Sequence, residues 1–150
     1  MLPRVATPRD EDDFSALWVE YLTHLEKAGS LLPANEETLA LFVQLFREIT
    51  HGRMRGLSLI VPGVAVCLWG PEIPVPTRYG LAIQGQGTYV RESARGQGLG
   101  SAMYAVGFGH LRDMGFQVFV GSVDGGNALG MRNARRLDGE LVQLVQCVRL

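Results

Sequence analysis

Residues 89–101 read Tyr-Val-Arg-Glu-Ser-Ala-Arg-Gly-Gln-Gly-Leu-Gly-Ser. An apolar strand end passes into a short charged turn holding Arg91 and Arg95. Gly96, Gly98 and Gly100 then alternate into the start of a helix. Glycine makes positive φ accessible and lets a backbone come close to a ligand, because no Cβ intervenes. The first N–H groups of the helix that follows have no intrahelical acceptor and stand at the positive end of its dipole. A phosphate is the natural guest of such a place.

Downstream, Leu99, Ala102, Met103, Val106, Leu111 and Met114 fall largely on one helical face. Gly107 and Gly109 each cost that helix about 1 kcal/mol relative to alanine, which close packing on a sheet would justify. Gly115 ends it. Gln117–Val123 is expected as a strand buried on both faces and parallel to the strand ending at Val90, so that strand, turn, helix and strand form one βαβ unit. A last helix over Ala128–Leu137 and a strand over Leu141–Leu150 complete the chain.

Upstream, a short edge strand is expected at Leu2–Ala6. Asp10–Asp13 opens a helix with Phe14, Leu17, Trp18, Tyr21, Leu22 and Leu25 at its core-facing spacing. A second helix runs from Glu36 to Thr50 with Leu39, Phe42, Val43, Phe46 and Ile49 on one face. Leu57–Val61 and Val64–Trp69 are strands joined at Pro62-Gly63. The proline-rich stretch from Gly70 to Arg78 reads as a loop, and Leu81–Val90 as a third strand in which Gly85 and Gly87 mark a bulge or a close backbone approach. His24 and His51 are assigned to helix surface or helix end.

At 150 residues, 47% hydrophobic and 19% charged, the chain is of a size for one domain over 1–150 with one core. Fourteen basic and 15 acidic residues leave a formal charge of −1. No global field favours nucleic acid or an anionic membrane. Cys67 and Cys147 lie in apolar runs without metal-ligand spacing and read as buried thiols of a reducing compartment. Residues 1–9 lack the apolar core of a signal peptide, and Leu57–Trp69 is too short and too broken by Pro62-Gly63 to span a bilayer, so a soluble cytoplasmic protein is expected.

Val90 followed by Arg95-Gly96-Gln97-Gly98-Leu99-Gly100 resembles the acyl-CoA signature of the GCN5-related N-acetyltransferase superfamily: Gln or Arg, two residues, Gly, one residue, then Gly or Ala. The element order β, α, α, β, β, β, α, β, α, β resembles that fold too and covers nearly the whole chain. The fold class expected is therefore α/β, an α+β mixed sheet of about six strands flanked by about four helices. Competing phosphate loops fit poorly. A dinucleotide fingerprint needs glycine where Ser101 stands, and a Walker loop needs Lys followed by Ser or Thr.

The resemblance implies an acetyl-CoA-dependent N-acetyltransferase acting on a primary amine of a small molecule or a protein. The amides of Gln97, Gly98, Leu99, Gly100 and Ser101 would cradle the pyrophosphate beside Gly96, with Arg91 and Arg95 adding charge-assisted contacts. Arg95 has capping the turn as its alternative role. In the family the strands flanking the loop helix splay apart, and pantetheine pairs with the exposed edge beside Tyr89 and Val90. The main-chain N–H of Val90 would face the developing oxyanion. Asn127 resembles the asparagine found beyond the second of those strands.

Two departures accompany these likenesses. Many relatives carry a tyrosine acid seven residues after the asparagine; here that position is Ala134, and no tyrosine follows Tyr104. Tyr104 itself reads as packing or solvent-facing, and Ser122 is a speculative catalytic candidate acting through water. The other departure is that only eleven residues follow Gly139, enough for one strand rather than a hairpin, which leaves an edge for a loop or a second subunit to cover, and a homodimer is expected. A non-catalytic acyl-CoA-binding module, and an interaction domain without ligand, are the alternatives.

Overall fold

The structure, a computed structural model, describes residues 1–122 and 127–137. Its strands are β1 (Arg4–Val5), β2 (Leu57–Val61), β3 (Ala65–Glu72), β4 (Ala82–Val90) and β5 (Val118–Val120). Its helices are α1 (Glu11–Lys27), α2 (Glu36–Thr50), α3 (Leu99–Asp113) and α4 (Ala128–Arg136). The strands lie in the order β1-β2-β3-β4-β5, antiparallel except for the parallel β4–β5 pair. The mixed sheet is the expected one, with five strands among the described residues. The strand expected at 141–150, and with it Cys147 and the dimer argument, lies outside them.

Helix starts follow the local chemistry. Glu11, Asp12 and Asp13 occupy the first turn of α1, where negative charge suits the dipole. Asp10, just before it, accepts from both Nη1 (2.9 Å) and Nη2 (2.7 Å) of Arg4 and from Thr7 N–H (2.8 Å), tying β1 to the helix entry. The Asn35 side chain caps α2 by accepting from Thr38 N–H at 2.9 Å.

Alternation along the strands divides the apolar residues between two faces. Ile60, Val66, Leu68 and Tyr89 pack against α1 and α2, where Phe14 stacks on Phe46 with ring centroids 4.3 Å apart. Leu59, Cys67, Trp69 and Ile83 pack beneath α3 with Leu99, Met103 and Leu111. Fully buried side chains of this size contribute about 1.5–3 kcal/mol each. The Cys67 thiol is buried and pushed up to about 12 by loss of solvation.

The expected bulge in β4 is present: Leu68 pairs with Gly87 but Trp69 with Gly85, so Gln86 is the extra residue. Neither glycine has room for a methyl group. A Cβ on Gly87 would meet Tyr21 Cε1 at 2.3 Å, and one on Gly85 would meet Phe119 Cζ at 2.3 Å. Gly107 of α3 has the packing role expected of it, since its Cβ would lie 2.1 Å from the Trp69 ring; Gly109 has open space and no such reason.

Two expected bounds are corrected. β3 continues past Trp69 to Glu72, crossing Pro71 by a shift in register that brings Glu72 opposite Ile83. β5 is three residues long and only partly buried, not a strand through Ser122 buried on both faces. Among the described residues it pairs with β4 at Ala82, Ile83 and Gln84 alone, so the backbone ladder rather than the apolar composition sets its length.

Candidate functional site

The early departure of β5 leaves one edge of β4 without a paired strand among the described residues. Arg91 N–H bonds to Val64 O at 2.9 Å, on the β3 side. Backbone groups alternate along an antiparallel pair, so those of Val90 and Thr88 point to the opposite side. Beyond Gln84 no strand among the described residues pairs with β4 on that side. Val90 O accepts there from Arg95 Nε at 3.0 Å. The Val90 N–H thus faces that unpaired side, while the Tyr89 side chain is buried on the α1 face.

After Val90 the chain makes a 3₁₀ turn over Glu92–Ala94 and enters α3 through Gly96 and Gly98, at φ 79° and 78°. Gly98 is the N-cap, and the helical bonds begin with Ala102 N–H to Gly98 O at 3.0 Å. The amides of Leu99, Gly100 and Ser101 precede that bond and have no intrahelical acceptor. α1 and α2 each carry acidic residues in their first turn; α3 has none there and no side-chain cap. Its N-terminus is the uncompensated one among these three. Leu99 is buried and anchors the turn, whereas Gln97, Gly98 and Ser101 are exposed. A Cβ on Gly100 would meet Val90 Cγ2 at an ordinary 3.9 Å, so no protein neighbour demands that glycine.

The two arginines of the turn separate. Arg91 turns to α1, where Nη2 and Nε donate to Glu20 at 2.6 and 3.1 Å and Nη1 donates to Gly63 O at 2.6 Å. All three of its nitrogens are thereby engaged away from the glycine turn, and the expected phosphate contact gives way to a brace between α1 and β4. The Arg91 hydrogen bond holds the Glu20 carboxyl below its usual range against the opposing effect of burial. Tyr89 Oη also donates to Glu20, at 3.3 Å, and burial pushes its hydroxyl up. Arg95 lies over the Tyr89 ring, 5.6 Å from its centroid, and caps the strand end through Nε. Its Nη1 and Nη2 make no hydrogen bond or ion pair within the described residues.

Between α3 and α4 lies a cleft of about 240 Å³ lined by Gly100, Ser101, Tyr104, Ala105, Phe108, Arg136 and Leu137. Its deep wall is aromatic. Tyr104 stacks on Trp69 at 5.4 Å, and Trp69 Nε1 donates to Thr88 Oγ1 at 3.1 Å. Burial raises the Tyr104 hydroxyl, with the neighbouring Thr88 side chain acting in the opposite direction. Thr88, Tyr104 and Arg136 were not among the sequence candidates. Residues 69, 88 and 104 meet only through the fold, and Arg136 is one of several arginines on α4.

The remaining candidates are placed less centrally. Asn127 Oδ1 accepts from Gly130 N–H at 3.0 Å, which makes it the N-cap of α4. Ser122 is exposed beyond the end of β5 and is not a strand residue. Ala134 is half-buried on α4. His51 ends α2 as expected, but His24 is not plain surface: its Nε2 is buried without a hydrogen-bond partner among the described residues, and its ring lies 6.5 Å from Tyr89. No group of His, Cys, Asp and Glu suited to a metal occurs among the described residues. None of their helices is long and apolar enough to cross a membrane.

An open helix N-terminus beside a splayed strand edge is the architecture of the GCN5-related N-acetyltransferase fold, and comparison with solved structures bears that fold out. A mutant of the BH1408 protein from Bacillus halodurans matches with a TM-score of 0.77 at 16% identity, over 100% of this chain and 99% of that one. A ribosomal-protein-alanine N-acetyltransferase from Brucella melitensis biovar Abortus 2308 matches with a TM-score of 0.72 at 17% identity, over 100% of both chains. The aminoglycoside N-acetyltransferase AAC(6')-Iy in complex with CoA matches with a TM-score of 0.73 at 13% identity, over 99% of this chain and 93% of that one. At such identities the likeness is one of fold. No family model and no curated protein matches the sequence.

Proposed function

We propose that the protein is an acetyl-CoA-dependent N-acetyltransferase that moves an acetyl group to a primary amine of a small molecule or a protein. The observation that carries the reading is the uncapped N-terminus of α3, entered through Gly96 and Gly98 at positive φ and standing at the end of a strand edge that β5 leaves unpaired. The amides of Leu99, Gly100 and Ser101 suit a pyrophosphate. Arg95 Nη1 and Nη2 and the Arg136 guanidinium in the cleft supply positive charge near them. The small size of Gly100 leaves room for a ligand where no protein atom needs it.

Along the β4 edge, Thr88 and Val90 offer backbone groups to the amide units of pantetheine, in the manner of an added strand. The Val90 N–H then stabilises the charge that develops on the thioester oxygen when the amine nitrogen attacks. The acyl donor supplies an activated carbonyl and a leaving thiolate. Asn127 holds the start of α4, and Arg91 holds the strand end to α1; both act as positioning residues.

Calorimetric titration with acetyl-CoA, with CoA and NAD alongside, tests the reading. Acetyl-CoA and CoA are expected to bind and NAD to fail, with Arg95→Ala weakening and Gly98→Trp abolishing the interaction. Absence of acetyl-CoA binding to the wild-type protein would overturn it. Ala134 at the position of the usual acid favours a second reading, a non-catalytic acyl-CoA-binding module. Binding without acetyl transfer to any member of a broad amine panel, and without acetyl-CoA hydrolysis, would select it.

A further inference from the structure

Val90 sits between two residues whose side chains end on one carboxylate. Tyr89 and Arg91 lie on either side of it in the chain and project to the same face of the sheet, toward α1. There Tyr89 Oη donates to Glu20 Oε2 at 3.3 Å, while Arg91 donates to both oxygens, from Nε to Oε2 at 3.1 Å and from Nη2 to Oε1 at 2.6 Å. Arg91 Nη1 adds a bond to Gly63 O at 2.6 Å, which ties in the turn between β2 and β3. The Arg91 and Glu20 side chains are 39% and 38% exposed, so their ion pair adds little to folding stability. What it fixes is direction. At Val90, β4 pairs with Ala65 of β3 on one side, and no strand among the described residues pairs with it there on the other. A strand end held along one edge is free to rotate about that edge, and rotation there turns the Val90 N–H, which points to the unpaired side.

We propose that Glu20 is a positioning residue for the acyl donor: by holding Tyr89 and Arg91 to α1 it sets the direction of the Val90 N–H, and with it the hydrogen bond that the thioester carbonyl receives. This rests on the acetyl-CoA reading above. A hydrogen bond prefers a donor angle above about 150° and weakens steeply below about 120°. A modest rotation of the strand end therefore takes the donor from the carbonyl while the amides at the start of α3, which hold the phosphates, stay where they are. Glu20 acts only through the backbone and touches no reacting atom. The Arg91 hydrogen bond, which holds the Glu20 carboxyl below its usual range, keeps the group charged and the tie intact at neutral pH. Arg95 completes the arrangement from the other edge, since its Nε donates to Val90 O at 3.0 Å.

The test needs no acceptor amine. Acetyl-CoA isotopically labelled at the thioester carbonyl carbon is bound to the protein, and the isotope-edited infrared band of that carbonyl is compared with the band of the free compound. A hydrogen bond to the oxygen weakens the C=O bond and moves the band to lower frequency. The wild-type protein is expected to give a narrow, shifted band. Glu20→Ala is expected to lose most of the shift and to broaden the band, while its affinity for acetyl-CoA in calorimetry stays near the wild-type value. Glu20→Gln keeps the shape of the group without its charge and is expected to fall between the two. Glu48→Gln breaks another carboxylate–arginine pair, with Arg53 beyond the end of α2, and is expected to leave the band as in the wild type. An unshifted wild-type band, a shift that both Glu20 variants keep in full, or an equal loss in Glu48→Gln overturns the role of Glu20 and leaves acyl-CoA binding intact. Loss of acetyl-CoA binding together with the shift in the Glu20 variants makes Glu20 a structural residue and overturns it too. Failure of acetyl-CoA to bind the wild-type protein overturns the acetyl-CoA reading and this inference with it.

Discussion

Ser101→Asp moves stability and ligand affinity in opposite directions. Gly98 is the N-cap, so Ser101 is the third residue of α3, exposed at the open turn. A carboxylate there meets the dipole and the unbonded amides favourably, adding about 0.3–1 kcal/mol to folding stability. For a domain of this size that raises the melting temperature by about 1–4 °C. The same carboxylate occupies the place proposed for the pyrophosphate. At a separation of about 5 Å and an effective dielectric constant of about 40, each phosphate charge meets about 1.7 kcal/mol of repulsion. That is roughly 17-fold in affinity for one charge and more than 100-fold for two. The loss shrinks as salt is added, because the site is open to solvent. Thermal melts and calorimetry with acetyl-CoA at about 20 and 200 mM salt check both halves. A variant that melts lower than wild type would refute the uncapped-helix argument. One that melts higher but binds acetyl-CoA as tightly as wild type would refute the placement of the phosphates.

The two glycines inside α3 make opposite predictions. Gly109→Ala has open space and is expected to stabilise by about 0.5–1 kcal/mol through helix propensity; Gly107→Ala sets a methyl 2.1 Å from the Trp69 ring and is expected to destabilise by about 1–3 kcal/mol, both read from urea melts. Stability in acid should report on Asp10, whose carboxyl is held well below its usual range, first by the Arg4 hydrogen bond, against burial. A depressed folded-state pKa means that its contribution is complete above the unfolded value of about 3.9 and is lost as the pH falls below it. Asp10→Asn should therefore destabilise by about 1 kcal/mol at pH 7, after allowance for the half-exposed Arg4, and by clearly less at pH 3. Equal losses at the two pH values would contradict the assignment.

Much of the architecture was readable because its signals are local. The glycine turn, the helix at 99–114 and the hairpin at Pro62-Gly63 each follow from residues adjacent in the chain, and the structure has all three. The glycines of β4 were read as a bulge, which exists, but the rings that exclude a Cβ, Tyr21 and Phe119, come from α1 and β5. The length of β5 was overestimated because its composition is apolar throughout, while its end is set by where it parts from β4. Arg91 was misread for a related reason. It sits five residues before Gly96 in a turn that asks for cations, but its carboxylate partner, Glu20, is 71 residues away. Once that pair forms, Arg91 is a brace.

Asn127 and Tyr104 show how one local pattern can serve two purposes. An asparagine directly before a helix is a good N-cap whether or not a ligand lies near, and Oδ1 of Asn127 makes the capping bond to Gly130. The helical period of α3 puts Met103 and Leu111 into the core and Tyr104 beside that stripe, so periodicity alone gives the tyrosine no polar task. Its place in the cleft wall arises only when β3 brings Trp69 against α3, where the ring stacks on Tyr104 and its Nε1 donates to Thr88 of β4. Gly107 belongs to the same arrangement, because the absence of its side chain is what lets the Trp69 ring lie against α3 and reach Thr88. Because Tyr104 stacks on Trp69 and lines the same cleft as Gly100 and Ser101, Gly107→Ala should disturb more than stability. By displacing Trp69 it should also shift the Tyr104 wall of the cleft and weaken acetyl-CoA binding in calorimetry, which Gly109→Ala should leave untouched.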